Sequence, residues 1–434
     1  MKLKIFIGLI VIILSSIAAF SQTVTQSPAS NRTRVVQTNP TPAASPSPTP
    51  ARKSVVTNNL PSPTPLPRPT ATPFQGSASS QIYPMATPTP PPTFYKPLSF
   101  NQIKSKIAEA KRQMTARPVS TALTDSFLST EIIRIAFYDY EAARVDYIVT
   151  TKTSFLTRDG EISTITSNAK PVTLRILRAN GVNTPVMIID QQNRAHLPLL
   201  VQYPIERYGA FVETAYYIST HAGIVTPEVV TAGKFYVRNT IDVARENLRK
   251  KGIFIAPEVT DTAERLSIVE HVDHQRFRTE HHPNIYNDIY ALFALNEGQT
   301  YRYSVSSAGA GGMVQMIPAT YYMVRSRYYN VGLIPDFVEG MRNHANATQA
   351  MLLYMQMTWN DLISNDTIYN ALESGIATPA ELMSAGYNSN PAKLAGYIRR
   401  GGAGWKNLIP RETKIYLQIY ASMNKFVPVL PRTK

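Results

Sequence analysis

Between Gln22 and Pro97 the chain returns to proline at short intervals, as in Ser45-Pro46-Ser47-Pro48-Thr49-Pro50 and Pro88-Thr89-Pro90-Pro91-Pro92. Proline fixes φ and removes a backbone donor, so neither a helix nor a central strand can run through such a tract. The Thr, Ser and Ala between the prolines carry too little apolar surface to offset chain ordering, which predicts an extended, disordered linker over 22–97. Any core must therefore come from the residues that follow. Pro-x-x-Pro matches arise here from composition alone and carry no weight as ligand motifs.

Ahead of this tract, Lys2 and Lys4 precede an apolar run from Ile5 to Phe20, and Ala19-Phe20-Ser21 offers a small-residue cleavage site. That order predicts a secretory signal over 1–21, hence export across the inner membrane to the periplasm, cell wall or exterior, with no stable membrane insertion after cleavage. The chain has no cysteine. A lipobox, a disulfide framework and thiolate metal sites are thereby excluded. The formal net charge of +15, part of it on Arg32, Arg34, Arg52, Lys53, Arg68 and Lys96 of the linker, suits an anionic cell wall. No nucleic-acid motif accompanies it, so nucleic acid is not an expected partner.

The folded part reads as α+β. Ser99 is a candidate cap for a helix with Ile103, Ile107 and Ala110 on one face. A second helix is expected over Glu131–Ala143. From Tyr147 the composition turns to β-branched and aromatic residues, Val172, Leu174 and Ile176 alternate with polar neighbours, and Asp159-Gly160 and Asn180-Gly181 are turn signals. This predicts a helix plus a β-rich accessory domain over 98–238, able to serve as a platform or to bind glycan, peptide stems or a cell-envelope protein. Helices are expected again after Thr240, over Asp261–Phe277 and over Pro283–Asn296, where Ile285, Ile289, Leu292 and Phe293 form the stripe of a buried face and deliver Glu297 to a helix end. An α-helical domain over 239–434 follows.

Twelve positions after Glu297 comes Gly309-Ala310-Gly311-Gly312-Met313-Val314-Gln315-Met316-Ile317-Pro318. Small residues let a bulky ligand approach the backbone, and Gln315 supplies amide donors and acceptors. Two further segments follow in order: Ala385-Gly386-Tyr387-Asn388-Ser389-Asn390-Pro391 and Leu408-Ile409-Pro410-Arg411-Glu412-Thr413-Lys414-Ile415-Tyr416.

Together these segments resemble the signature of lytic transglycosylases, lysozyme-like helical enzymes that cleave peptidoglycan glycan strands, and Ala347–Met355 is similar to the central helix of the membrane-bound murein transglycosylase D type. The resemblance covers about residues 284 to 424. It implies a lysozyme-like catalytic domain with Glu297 as its single general acid and base, Tyr387 orienting that Glu, and Gln315, Met313, Asn388 and Tyr416 at the sugar groove. It implies no cofactor, and peptidoglycan glycan strands as the partner. Gly298 stands where the family usually has Ser, and Asn390 where it usually has Gly.

An apolar surround at Glu297 would keep a carboxyl protonated and able to donate to a departing glycosidic oxygen. The alternatives are a hydrolytic muramidase on the same fold and a non-catalytic wall-binding protein whose site has drifted. His271, His274, His281 and His282 raise a metal site as a rival, but Glu270-His271-x-x-His274 has the wrong order for a zinc-protease helix, and a structural role is expected for them. Glu412 is expected to anchor the last helix by hydrogen bonding, and Trp405 to be a packing residue.

Overall fold

The computed structural model describes residues 91–117, 130–207, 209–221, 223–306 and 308–433. The predicted signal and most of the predicted linker lie outside them. The described residues are mixed α and β, with thirteen helices and a curled, mainly antiparallel sheet, and sheet and helices belong to one compact unit.

The linker ends earlier than its composition suggests. Thr93–Phe94 (β1) pairs in parallel with Arg194 and Ala195, and Tyr95 stacks on Tyr140 at 4.6 Å. Ser99 then caps α1 (Phe100–Ala116) in a reciprocal box with Gln102, and Ile103, Ala110 and Met114 are buried.

The segment expected to be a helix from Glu131 is instead strand β2 (Ile132–Asp139). Its Ile133, Ile135 and Phe137 alternate onto one face of the sheet, a period of two that short apolar runs conceal. After β2 come β3 (Arg144–Thr151), the short α2 (Lys152–Phe155), β4 (Glu161–Ile165), β5 (Pro171–Ile176), β6 (Val186–Asp190), β7 (Arg194–Arg207) and β8 (Ala210–Tyr217). The order is β3-β2-β7-β6-β5-β4, with β1 and β8 also on β7. The long β7 is thus the spine. One face of the sheet encloses its own cluster, with Phe155, Leu174 and Ile188. On the other, Ala136, Leu197 and Leu199 join Ile103 of α1 and residues Ala291 and Ala294 of a helix in the second half.

That half contains α3 (Pro227–Arg249), α4 (Pro257–Val269), α5 (His274–Thr279), α6 (His282–Asn296), α7 (Pro318–Arg327), α8 (Phe337–Arg342), α9 (His344–Ile363), α10 (Asp366–Glu373), α11 (Pro379–Asn388), α12 (Leu394–Gly401) and α13 (Arg411–Phe426). Helix α3 starts at the Thr226 cap and Pro227, well before the expected Thr240, so the predicted domain boundary at 238 falls inside a helix. Its partner is α6, and the two cross so closely that a Cβ on Gly233 would lie 1.9 Å from Tyr290 O. The expected helix over 261–277 is broken into α4 and α5. The break falls at Glu270.

Candidate active site

Helix α4 begins with Pro257 at its first turn and is buried nearly all round. It can hide Thr260, Thr262 and Ser267 because each hydroxyl donates to the carbonyl four residues back. The helix stops because the Asp273 carboxylate accepts from the backbone N–H groups of Gln275 and Arg276, both at 2.8 Å, and starts α5. Glu270, His271 and Val272 lie in the gap.

Burial pushes the Glu270 carboxyl up to about 8; the hydrogen bond from Tyr416 works against this rise and the nearby charge of Glu412 adds to it. The Tyr416 hydroxyl donates to Glu270 Oε1 at 2.6 Å. Burial, with the Glu270 charge second, lifts the Tyr416 phenol far above its ordinary value, so it remains a donor. The result is a carboxyl that is neutral near pH 7 and fixed in orientation by one phenol. A cavity of about 270 Å³ opens at this point, and its wall includes Glu270, Gln315, Tyr301, Arg178 and Arg276.

The glycine-rich loop is pinned beside Glu270 through two successive carbonyls. His271 Nε2–H donates to Met313 O at 2.9 Å, and the Tyr387 hydroxyl donates to Val314 O at 2.7 Å. A carbonyl only accepts, which fixes the His271 tautomer; burial pushes this imidazole down to about 3, and it stays neutral. Its ring lies flat on Tyr301 at 3.4 Å. Gly312 is required where the loop passes α8: φ is +68°, and a Cβ would lie 2.3 Å from Met341 O. Gln315, also at positive φ, donates through Nε2 to Gly312 O and Ser304 Oγ. Its Oε1 has no partner among the described residues.

Glu297 is elsewhere. It ends α6 at φ +46°, its side chain is 55% exposed, and Lys104 of α1 pairs with it at 2.7 Å. Next to it, the Asn296 amide clamps the helix end to the sheet, accepting from Ile218 N at 2.9 Å and donating to Ile218 O at 2.8 Å. The apolar surround expected at Glu297 is therefore absent, and the residue is not in the cavity wall. The physical reason is that α6 docks its end on α1 and the exit of β8.

Of the other residues singled out in the sequence, Gln315 lines the cavity with Glu270, whereas Met313 is fully buried and offers its carbonyl to His271 rather than to a ligand. Tyr387 orients the loop, and Tyr416 takes the role of orienting the carboxyl. Asn388 ends α11, half-buried and outside the cavity wall. Glu412 is exposed and its carboxylate has no hydrogen-bond partner among the described residues, so the expected side-chain anchor is not there. Trp405 is fully buried and donates to Ile376 O at 3.3 Å. The histidines do not converge: His282 bonds Ser422 and Phe277 O. Among the described residues no group of three or more His, Asp or Glu could hold a metal ion.

Sequence reasoning weighed Glu270 and His271 only against a zinc-protease pattern and passed over Arg178 and Arg276. A signal for the first was present, since α4 and α6 are both apolar helices opened by proline and followed by glutamate.

Comparison of the chain with protein-family models, curated proteins and solved structures gave no match.

Proposed function

We propose that the chain is an exported lytic transglycosylase of peptidoglycan, with Glu270 as its general acid and base and the helices around α4, α9, α11 and α13 as a lysozyme-like domain. The reading rests on one observation: Tyr416, Tyr387 and the Gly309–Pro318 loop, three separate motifs in the chain, meet beside a single half-buried carboxyl.

The protonated Glu270 would donate to the leaving glycosidic oxygen as the bond from N-acetylmuramic acid breaks. The carboxylate so formed would then take the proton of the 6-hydroxyl, whose oxygen bonds to C1 and closes a 1,6-anhydro ring. Glu270 ends protonated, as it began, and no water is consumed. A carboxyl lifted to about 8 suits the first step, and the Tyr416 hydroxyl steadies the anion of the second.

Hydrolysis by the same fold is a second reading, favoured by Asp273 and Asp288 in the same cavity wall. It is weaker because each is committed: Asp273 caps α5, and Asp288 pairs with Arg276 at 2.6 Å. Mass spectrometry of fragments released from purified sacculi separates the readings. Anhydro ends are expected; reducing ends would indicate a muramidase, and retained binding without cleavage a non-catalytic wall protein.

A further inference from the structure

The connection from β5 to β6 reaches the cavity of Glu270 from the sheet side. It is a built tip: Leu177 N–H donates to Pro185 O at 3.0 Å to close its base, and Thr184 Oγ1 accepts from Asn180 N and donates to Gly181 O. Arg178, Asn180 and Asn183 from this tip all line the cavity. Asn180 and Asn183 also line an adjoining cavity of about 520 Å³, as do Tyr301 and Ser304, so the two spaces share a wall.

Two groups on the tip are uncommitted. Arg178 has no hydrogen-bond or ion-pair partner among the described residues, although Asp273, Glu280 and Asp288 are close enough for their charges to be felt. Glu280 and Asp288 are held by Arg276, at 2.7 and 2.6 Å. Burial first, and the Arg276 charge next, push the Arg178 guanidinium below its ordinary range, while the charges of Asp288, Asp273 and Glu280 work against this. Asn183 Oδ1 is shut off from solvent and accepts no hydrogen bond. Half-buried polar groups without partners cost stability unless a ligand completes them.

We propose that the β5–β6 tip reads the substrate, Arg178 taking a carboxylate of a substituent on the glycan beside the bond presented to Glu270. This rests on the glycan-cleaving reading above and makes the sheet a specificity element. A guanidinium fork suits a carboxylate. The carboxylate has two sources, the lactyl group of unsubstituted muramic acid and the stem peptide.

The test uses calorimetric titration of the full mature chain carrying Glu270→Gln, with and without Arg178→Gln or Arg178→Lys. The probes are a disaccharide with a stem tetrapeptide, the same disaccharide with a free lactyl carboxylate, and both with their carboxyls converted to amides. With Arg178→Gln, the affinity for at least one carboxylate probe is expected to fall about tenfold, as for loss of a charge-assisted hydrogen bond. Arg178→Lys should restore part of it, and the amidated probes should bind both chains equally. A loss confined to the tetrapeptide probe assigns the stem, and a loss with the denuded probe the lactyl group. Equal affinities of the parent and Arg178→Gln for every carboxylate probe, with matching thermal melts, overturn the proposal. The functional reading is judged separately, by whether the wild-type chain cuts sacculi: cutting combined with equal affinities would leave that reading standing and remove Arg178 alone.

Discussion

Glu270 and Glu297 occupy the same place in two similar stretches of chain, each following an apolar helix that opens with proline, α4 in one case and α6 in the other. What separates them is the environment each helix end meets. The end of α4 stays inside the helical core, where Tyr416, His271 and Tyr387 fix the carboxyl and the glycine-rich loop together. The end of α6 emerges at α1 and the sheet, where Lys104 and solvent meet the carboxylate. Motif spacing sees neither difference. A carboxylate gains acid–base use from burial and a fixed donor, which are properties of packing rather than of position in the chain.

The comparison is broken or upheld most directly by a pair of substitutions. Glu270→Gln should reduce cleavage of sacculi by at least about a hundredfold, since an amide cannot cycle as acid and base. Glu297→Gln should leave the rate within about twofold, because its carboxylate holds a surface ion pair. Turnover assays on both chains decide, and the reverse result would return the acid to Glu297.

The second contrast lies in pH. Glu270 has a folded pKa of about 8 against an ordinary 4.5. Between those values the folded state binds a proton that the unfolded state does not, so the stability it contributes is full below the lower value and is lost as pH rises through the upper one. The Gln variant has no such dependence. The melting temperature of the wild type should therefore fall relative to Glu270→Gln by several degrees between about pH 5 and pH 8. Turnover should fall over the upper part of the same window, as the acid is lost. Parallel melting curves for wild type and Glu270→Gln would remove the raised-acid assignment.

Tyr416→Phe sharpens the comparison further. The lost donor stabilised the charged form of Glu270, so the basic limb of the pH–rate profile should move to higher pH while turnover falls about tenfold, the value of one charge-assisted hydrogen bond. A tyrosine that only fills space would change stability without moving the limb.

Much of the cavity region was legible in the chain, and what the sequence left out has a physical reason. The loop from Gly309 to Pro318, Tyr387 and Tyr416 were readable because tight turns and pinned carbonyls demand particular residues at particular positions, as at Gly312. Glu270 drew no attention as an acid because α5 and α6 separate it from the loop, and sequence distance carries no record of a helical excursion that returns. Strand β2 was read as a helix because Ile132–Phe137 is a short apolar run in which helical and strand periods coincide, and only pairing with β3 and β7 decides it. The α1 cap and the alternation of β5 were visible because each is set by neighbours in the chain. Arg178 had no local signal: its meaning comes from a tip meeting a helix end far along the chain.

The smallest expected effect belongs to Gly298, which stands beside Glu297 where the resembled family usually has Ser. The sequence suggests either a missing catalytic hydroxyl or a glycine required by positive φ. The unusual backbone angle falls on Glu297 itself, and a Cβ on Gly298 would meet only Tyr236 Oη, at 3.9 Å, an ordinary contact. With Glu270 as the acid, a hydroxyl at 298 lies outside the cavity wall and has no reacting atom to assist. Gly298→Ser should therefore change stability by no more than about 0.5 kcal/mol, as for a surface substitution, and leave turnover unaltered. A several-fold gain in turnover with an unchanged melting temperature would restore the missing-hydroxyl idea, and with it the claim of the exposed helix end to be the site of chemistry.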